Sequence, residues 1–327
     1  MQKNDGITPV FHINEENNKL IKKIEKQLSL LKIDDKLIKK NLKLKSKVRS
    51  IHSSLAIEAN SLSLESVESI VDNKLVIGDR KEIQEVKNAN ELYEHINEYN
   101  FKSEKDFLKA HTVLMKYFDD DNGYYRNHGE GVKKGKTIIF TAPESILVPS
   151  LMKSLFEFIN ENEKSIHPLV LSALFHYYFV YIHPFSDGNG RIARFWVTLI
   201  LTSWNSKFAY IPIEEEIYIH QKDYYKAIES CHINGNANVF ISFMLKCINS
   251  SLEKTTQKTT QKIKLNSNQK KIIELINDNP KITRNELANY LKITPDGVKY
   301  NLKKLMDNGI VERIGADKGG YYIVKNR

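Results

Sequence analysis

The sequence predicts a mainly α protein, in which a helical core carrying one short inserted β-hairpin is followed by a smaller helix-turn-helix unit with a two-stranded wing. Three observations lead there. Between residues 50 and 252, apolar residues recur at helical spacing in segment after segment, and only the stretch from Thr137 to Thr141 is β-branched and aromatic between turn residues. Residues 253–262, EKTTQKTTQK, repeat Lys, Thr and Gln with no apolar residue and interrupt the pattern. Beyond them, two capped helical patterns meet at a tight turn and lead into strand, Gly-rich turn and strand.

In chain order, residues 1–50 form an N-terminal helical segment. Leu20, Ile21, Ile24, Leu28 and Leu31 fall on one face of an amphipathic helix or helix pair, and the Lys-rich remainder reads as solvated rather than as a surface for membrane or nucleic acid. The start, MQKNDGITPVFHINEEN, lacks the basic-then-apolar order of a secretory signal. No run of about 18 apolar residues occurs to span a bilayer, so the expectation is a cytoplasmic protein with no membrane partner. Cys231 and Cys247 are too few for a disulfide framework or a four-ligand zinc site, which fits a reducing compartment.

Residues 51–252 form the main unit, built from the helical patterns SSLAIEANSLSLESVESIV, EIQEVKNANELYEHINEY, SEKDFLKAHTVLMKYF, SILVPSLMKSLFEFINEN, LVLSALFHYYFVYI and RIARFWVTLILTSW, with the hairpin between the third and fourth. Residues 253–265 read as a solvated linker or helical extension. In residues 266–327, Thr283 with Glu286 makes a capping box, and Thr294 caps a helix with Pro295 at its first position. That second helix places Val298, Leu302, Leu305 and Met306 on one face and leaves Lys299, Tyr300, Lys303 and Lys304 mainly elsewhere. GIVERIGADKGGYYIV follows as the wing.

The 49 Lys+Arg and 40 Asp+Glu leave +9 in 327 residues, but the charge is divided. Residues 19–49 carry +9 and residues 253–327 carry +8, while residues 50–252 total −6. A uniformly basic nucleic-acid coat is excluded.

The chemistry concentrates in His183 to Arg194, HPFSDGNGRIAR. Pro184 ends the preceding helix and leaves His183 at its C-terminal end. Gly188, Asn189 and Gly190 form a tight turn able to take positive φ, and a new helix begins near Arg191. Successive N–H groups at such a turn and helix start cradle anions. Arg191 and Arg194 can add bidentate phosphate contacts, and Asp187 sits where a carboxylate could hold Mg2+ against the same phosphates. A competing dinucleotide fingerprint, Gly188, Gly190 and Ala193, lacks its βαβ context, and its nearest acidic cluster, Glu214 to Glu216, lies too far along.

At these residues the chain resembles the Fic family, whose signature HPFx(D/E)GNGRxxR is met at every defining position. The resemblance covers most of residues 50–247, including DNGYYR ahead of the hairpin. It implies transfer of AMP from ATP to a Tyr, Ser or Thr hydroxyl of a target protein and of the chain itself, with Mg2+ as cofactor and pyrophosphate as product. By that resemblance His183 would be the general base and Phe185 the anchor of the loop. Asp187 would hold Mg2+, and Gly188, Asn189, Gly190, Arg191, Ile192, Ala193 and Arg194 would form the ATP cradle. Tyr224 and Tyr225 would line the base pocket, although His232 stands where relatives often have Asn. Ser54 and Glu58 in SLAIEAN match an inhibitory (S/T)xxxE(G/N) helix except at Ala59, and Glu58 would pair with Arg194. Thr137, Ile138, Ile139 and Phe140 would be a flap that docks the target by β-augmentation. Relatives often dimerise, which implies a homodimer. The C-terminal unit resembles winged helices appended to bacterial members, whose partner is DNA or protein. Two further readings stay open: a nucleotide-sensing transcriptional regulator, and transfer of another phosphate-containing group.

Overall fold

A computed structural model of the protein describes residues 7–31, 36–118, 121–134, 137–260, 265–307, 310–315 and 319–324, with the side chains of 36–39, 132–134, 137–140, 258–260 and 307 outside the description. It is mostly helical. Residues 1–30 and 46–255 cluster as one compact unit, and residues 31–45 and 256–327 as the other, so the first 50 residues are shared between the two.

The first unit opens with α1 (Glu15–Leu30) and with α2 (Lys36–Ile57) from Ser46 onward. Ile21, Ile24 and Leu28 give α1 a buried stripe, as its spacing predicts. The pattern running from Ser53 to Val71 is not one helix. α2 stops at Ile57, and α3 (Leu64–Val71) restarts after Ser63, whose hydroxyl accepts from the Ser66 N–H. α4 (Arg80–Glu94) is capped by Asp79 and α5 (Glu104–Leu114) by Ser103. The hairpin is β1 (Gly131–Lys134) and β2 (Thr137–Thr141), antiparallel, with its register shifting between Val132 and Lys133. α6 (Val148–Asn162), α7 (Pro168–Ile182) and α8 (Asn189–Trp204) follow, then α9 (Ile213–Ile219), α10 (Gln221–Asn234) and α11 (Asn238–Thr260), whose last turns are the Lys-Thr-Gln repeat.

The centre of this unit is the pair α7 and α8. Both helices are buried along nearly their whole length, which is why their sequences show apolar runs rather than a stripe. Phe107, Phe156, Phe175, Phe179, Phe185 and Trp196 pack there with ring centroids mostly 5–6 Å apart in edge and stacked contacts. Fixing α7 against α8 fixes the short loop between them. Cys231 and Cys247 are buried free thiols, and no helix among the described residues is long and apolar enough to cross a membrane.

The second unit contains α12 (Ser267–Asp278), α13 (Arg284–Leu291), α14 (Pro295–Asp307), β3 (Val311–Ile314) and β4 (Tyr321–Val324). The Thr283–Glu286 capping box forms on both sides, and the Thr294 hydroxyl accepts from the Gly297 N–H. Ile272, Ile276, Leu287, Val298, Leu302, Leu305, Val311 and Tyr322 make its core. The wing is pinned back by the Tyr322 N–H donating to the Pro280 carbonyl at 2.7 Å. Helix-turn-helix and wing are those the sequence predicts.

Candidate active site

His183 terminates α7 in the left-handed region (φ 50°), with its N–H on the Phe179 carbonyl. A histidine takes that conformation only when its surroundings hold it there. Arg126, itself 4% exposed, does so: Nε donates to the His183 carbonyl at 2.7 Å, Nη2 to the Ile182 carbonyl, and its N–H to the Pro184 carbonyl at 2.9 Å. The same guanidinium reaches the His128 and Pro143 carbonyls, each at 2.6 Å, on the two sides of the hairpin. One buried cation thus ties α7's carbonyl end and both roots of the hairpin together. The sequence pattern contained this arginine in DNGYYR without giving it a role.

Beyond Pro184, the Asn189 side chain clasps the Phe185 backbone, accepting from its N–H at 3.0 Å and donating to its carbonyl at 2.7 Å. Phe185 is fully buried and stacks on the His111 ring with centroids 3.6 Å apart. His111 accepts from the Gly123 N–H through Nδ1 and reaches the Asp187 carbonyl through Nε2, both at 3.0 Å. Gly188 follows at φ 79° as the N-cap of α8, where a Cβ would lie 2.8 Å from the Met115 sulfur. Any other residue there would be strained and would push on Met115. Because Gly188 supplies the cap conformation, α8 opens at Asn189, two residues before the start predicted from the sequence. No side chain caps it, so its first-turn N–H groups face the loop as the anion cradle requires.

Asp187 is the exposed carboxylate of this loop. It accepts from the Gly188 N–H at 2.6 Å and from Arg191 Nη2 at 2.8 Å. Burial pushes its pKa up, but the Arg191 charge and these hydrogen bonds outweigh that and hold it below the ordinary value. Arg191 is 5% exposed and pairs through Nη1 with Glu85 at 3.2 Å. Its Nε is buried with no partner among the described residues.

Arg194 lies deeper, at 1% exposure. Nε donates to the Ser54 hydroxyl at 2.9 Å, and Nη2 to the Ser54 carbonyl at 2.8 Å and to Glu58 at 2.7 Å. Burial works against its charge, yet Glu58 more than compensates and raises its pKa. Nη1 has no partner among the described residues. At Gly190 an added Cβ would run into the Glu58 carboxylate and crowd Arg194 Nη1. Ser54 and Glu58 therefore meet the loop as their spacing predicts. They come from the end of α2, where Ala59 adopts φ 68° and the Asn60 N–H returns to the Leu55 carbonyl. This is a Schellman closure with alanine at the position that glycine or asparagine takes without strain.

The His183 imidazole is half-buried, and burial lowers its pKa. Glu130, a hydrogen bond to the Val180 carbonyl and Glu58 partly restore it, and Arg126 lowers it further. The imidazole is neutral at pH 7 and able to accept a proton.

Of the remaining predicted positions, Tyr224 and Tyr225 lie close enough to Arg194 and Glu58 to interact with their charges. Ile192 and Ala193 are fully buried, so their side chains pack the core, and the Ile192 N–H donates to the Gly188 carbonyl at 3.0 Å within α8. Tyr224 is likewise a core residue, its hydroxyl on His176 Nε2 at 2.9 Å, whereas Tyr225 stacks edge-on against it and is 49% exposed. The backbone of Thr137 to Phe140 forms β2, and their side chains lie outside the described residues. Three contributors were given no role by the sequence, although Arg126 closes the DNGYYR segment: Arg126, His111 and Glu85 act through backbone groups and ion pairs that only the fold brings together.

Comparison with known proteins agrees with this geometry. The Fic/DOC family model matches residues 101–201, and a model for winged helix-turn-helix DNA-binding units matches residues 265–312. The crystal structure of a Fic family protein from Desulfovibrio desulfuricans G20 is 31% identical with a TM-score of 0.74, and the likeness covers 98% of this chain and 99% of that one. "Protein adenylyltransferase Fic" from Nematostella vectensis is 27% identical over 223 residues, 64% of this chain and 49% of its own length. "Probable protein adenylyltransferase aq_aa38" from Aquifex aeolicus is 28% identical over 210 residues, 57% of this chain and 63% of its own. The chain thus spans about half to two-thirds of these curated relatives. With the His183–Arg194 loop closed around its arginines and a solved relative aligned end to end, the chain belongs to the Fic/DOC family and carries a C-terminal winged helix-turn-helix unit.

Proposed function

We propose that the protein is a Mg2+-dependent adenylyltransferase that moves AMP from ATP onto a side-chain hydroxyl of a protein, and that Glu58 holds it in check. The observation that carries this reading is Arg194. One edge of its guanidinium is saturated by Ser54 and Glu58, while Nη1 is equally buried and unpartnered among the described residues, beside Gly190, whose missing Cβ lets the Glu58 carboxylate approach. A buried cationic N–H without an acceptor is costly unless an anion fills the place. Arg191 Nε, similarly unpartnered, and the open first turn of α8 extend the same cradle toward a polyphosphate. The relatives' names support AMP as the group moved.

In the reaction, neutral His183 takes the proton of the target hydroxyl as its oxygen bonds to the α-phosphorus. The bond from that phosphorus to the bridging oxygen breaks, and pyrophosphate leaves. The α8 amides and both arginines stabilise charge on the phosphate oxygens. Asp187 suits Mg2+, because a single exposed carboxylate matches an ion that takes most of its ligands from phosphate and water. Bound there, the ion would neutralise phosphate charge. Glu58 occupies the Arg194 edge that a γ-phosphate needs, which restrains productive binding. The β1–β2 hairpin, rooted by Arg126, offers a strand edge for the target backbone.

Incubation with labelled ATP and Mg2+ should label the chain or a lysate protein. Glu58→Gly should raise that signal about tenfold or more and His183→Ala should abolish it. An active His183→Ala variant would sink the mechanism, and intact mass identifies the group added. A second activity is favoured by exposed Lys299, Lys303 and Lys304 on α14: contact with DNA phosphates.

A further inference from the structure

The acidic run Glu214 to Glu216 takes no part in that chemistry, yet Glu214 is 1% exposed. Its neighbours in α9 have ordinary partners, Arg49 for Glu215 at 3.8 Å and Lys254 for Glu216 at 2.5 Å. Glu214 instead accepts three hydroxyls. Oε2 takes Ser50 at 2.6 Å, and Oε1 takes Tyr93 and Thr198, both at 2.8 Å. Burial and the adjacent carboxylate push the Tyr93 phenol well above its ordinary pKa, so it remains a donor.

The three donors stand on different helices, and their places matter. Ser50 precedes Ser54 by one turn of α2, and Thr198 follows Arg194 by one turn of α8. The Ser50–Glu214–Thr198 bridge therefore lies one turn below the Ser54–Arg194 contact, in an antiparallel crossing that ends with Glu58 over Gly190. The segment after α8 follows α2 in register: Ser46 with the Tyr210 carbonyl, Ser50 with Glu214, and the Ile57 carbonyl with Gln221 are each separated by 164 residues. We propose that Glu214 is a positioning residue for the restraint, its carboxylate latching Ser50 of α2 to Thr198 of α8 and thereby keeping Glu58 on Arg194. The division of labour between its oxygens makes the latch releasable. Oε1 stays bound to α4 and α8, and of the three bonds to Glu214 only that of Oε2 is lost when α2 moves away. This inference rests on the reading that Glu58 restrains transfer.

The test compares variants in two backgrounds, the parent chain and Glu58→Gly. A hydrogen bond to a charged group is worth enough to shift the docked fraction of α2 about tenfold. Ser50→Ala should raise ATP-dependent transfer by that factor in the parent and leave it unchanged in Glu58→Gly. It should also speed amide exchange over residues 54–60. Glu214→Gln should behave alike, because its neutral amide keeps one acceptor oxygen for Tyr93 and Thr198 and turns toward Ser50 an N–H2, which cannot accept. Tyr93→Phe removes a donor from the same carboxylate but none from α2, and should leave the ratio between the two backgrounds as it was. If Glu58→Gly raises transfer while Ser50→Ala does not, or if Ser50→Ala lowers it in both backgrounds, the latch is wrong. If Glu58→Gly itself has no effect, the restraint on which the latch rests is wrong.

Discussion

At the scale of single residues, the site depends on backbone conformations that side chains resist. Gly188 meets the requirement with no Cβ, His183 is held in the left-handed region by Arg126, and Ala59 bears it at the close of α2. An L-residue there costs about 1–2 kcal/mol, of which glycine returns part through its greater freedom in the open chain. Ala59→Gly should therefore stabilise the docked turn by about 1 kcal/mol. Basal transfer should fall about fivefold and the thermal midpoint should rise by a few degrees; a rise in transfer would show that the turn does not act on Glu58. The imidazole offers a second handle. Burial first, and Arg126 after it, lower the His183 pKa, while Glu130, the Val180 carbonyl and Glu58 raise it. A base with a lowered pKa is competent above that value and fails as pH falls through it. The acid limb of kcat/KM should thus lie below pH 6.5. Loss of the Glu58 charge should move it to lower pH, and replacing Arg126 by a neutral residue should move it up. A limb unmoved in both variants would assign it to another group.

At the scale of elements, what was legible in the sequence follows the strength of local signals. The Thr283–Glu286 capping box, the Pro184 break, the short β-branched strand and the α14 stripe each act within a few residues, and each appears where the pattern puts it. The fused pattern from Ser53 to Val71 was misread because apolar residues continue past a turn set by the φ of Ala59, which composition does not reveal. The loop motif was legible as chemistry because its residues are contiguous. Its supports were not, because Arg126, His111, Glu85 and Glu214 hold groups as far as 57, 76, 106 and 164 residues away. α14 gives the prediction proper to this scale. Each lysine that neutralises a phosphate adds about 0.9 to the slope of log affinity against log salt. Replacing Lys299, Lys303 and Lys304 by alanine should make that slope shallower by about 3 in a DNA titration. An unchanged slope would turn α14 toward a protein partner.

For the whole molecule, net charge is a poor guide to where the chemistry resides. The +9 total comes from residues 19–49 and 253–327, whereas the stretch holding the loop is −6. Anion binding there is local: two arginines, both nearly buried, hold carboxylates of the chain itself, Glu58 on one and Glu85 with Asp187 on the other. On the proposed function, the chain supplies its own anions where ATP would supply phosphates, and binding is an exchange of partners. That makes ligand affinity and restraint parts of one equilibrium, because a nucleotide that needs Arg194 must displace Glu58. A ligand bound only by the folded chain stabilises it by about 2.7 kcal/mol at a hundred times Kd, and less where binding must first break an internal contact. ATP with Mg2+ should therefore raise the thermal midpoint more in Glu58→Gly than in the parent chain at the same ATP concentration, even if the substitution alters the starting midpoint. ADP, which lacks the γ-phosphate, should shift the two proteins by similar amounts. Equal ATP shifts would mean that Glu58 and the nucleotide do not compete for Arg194.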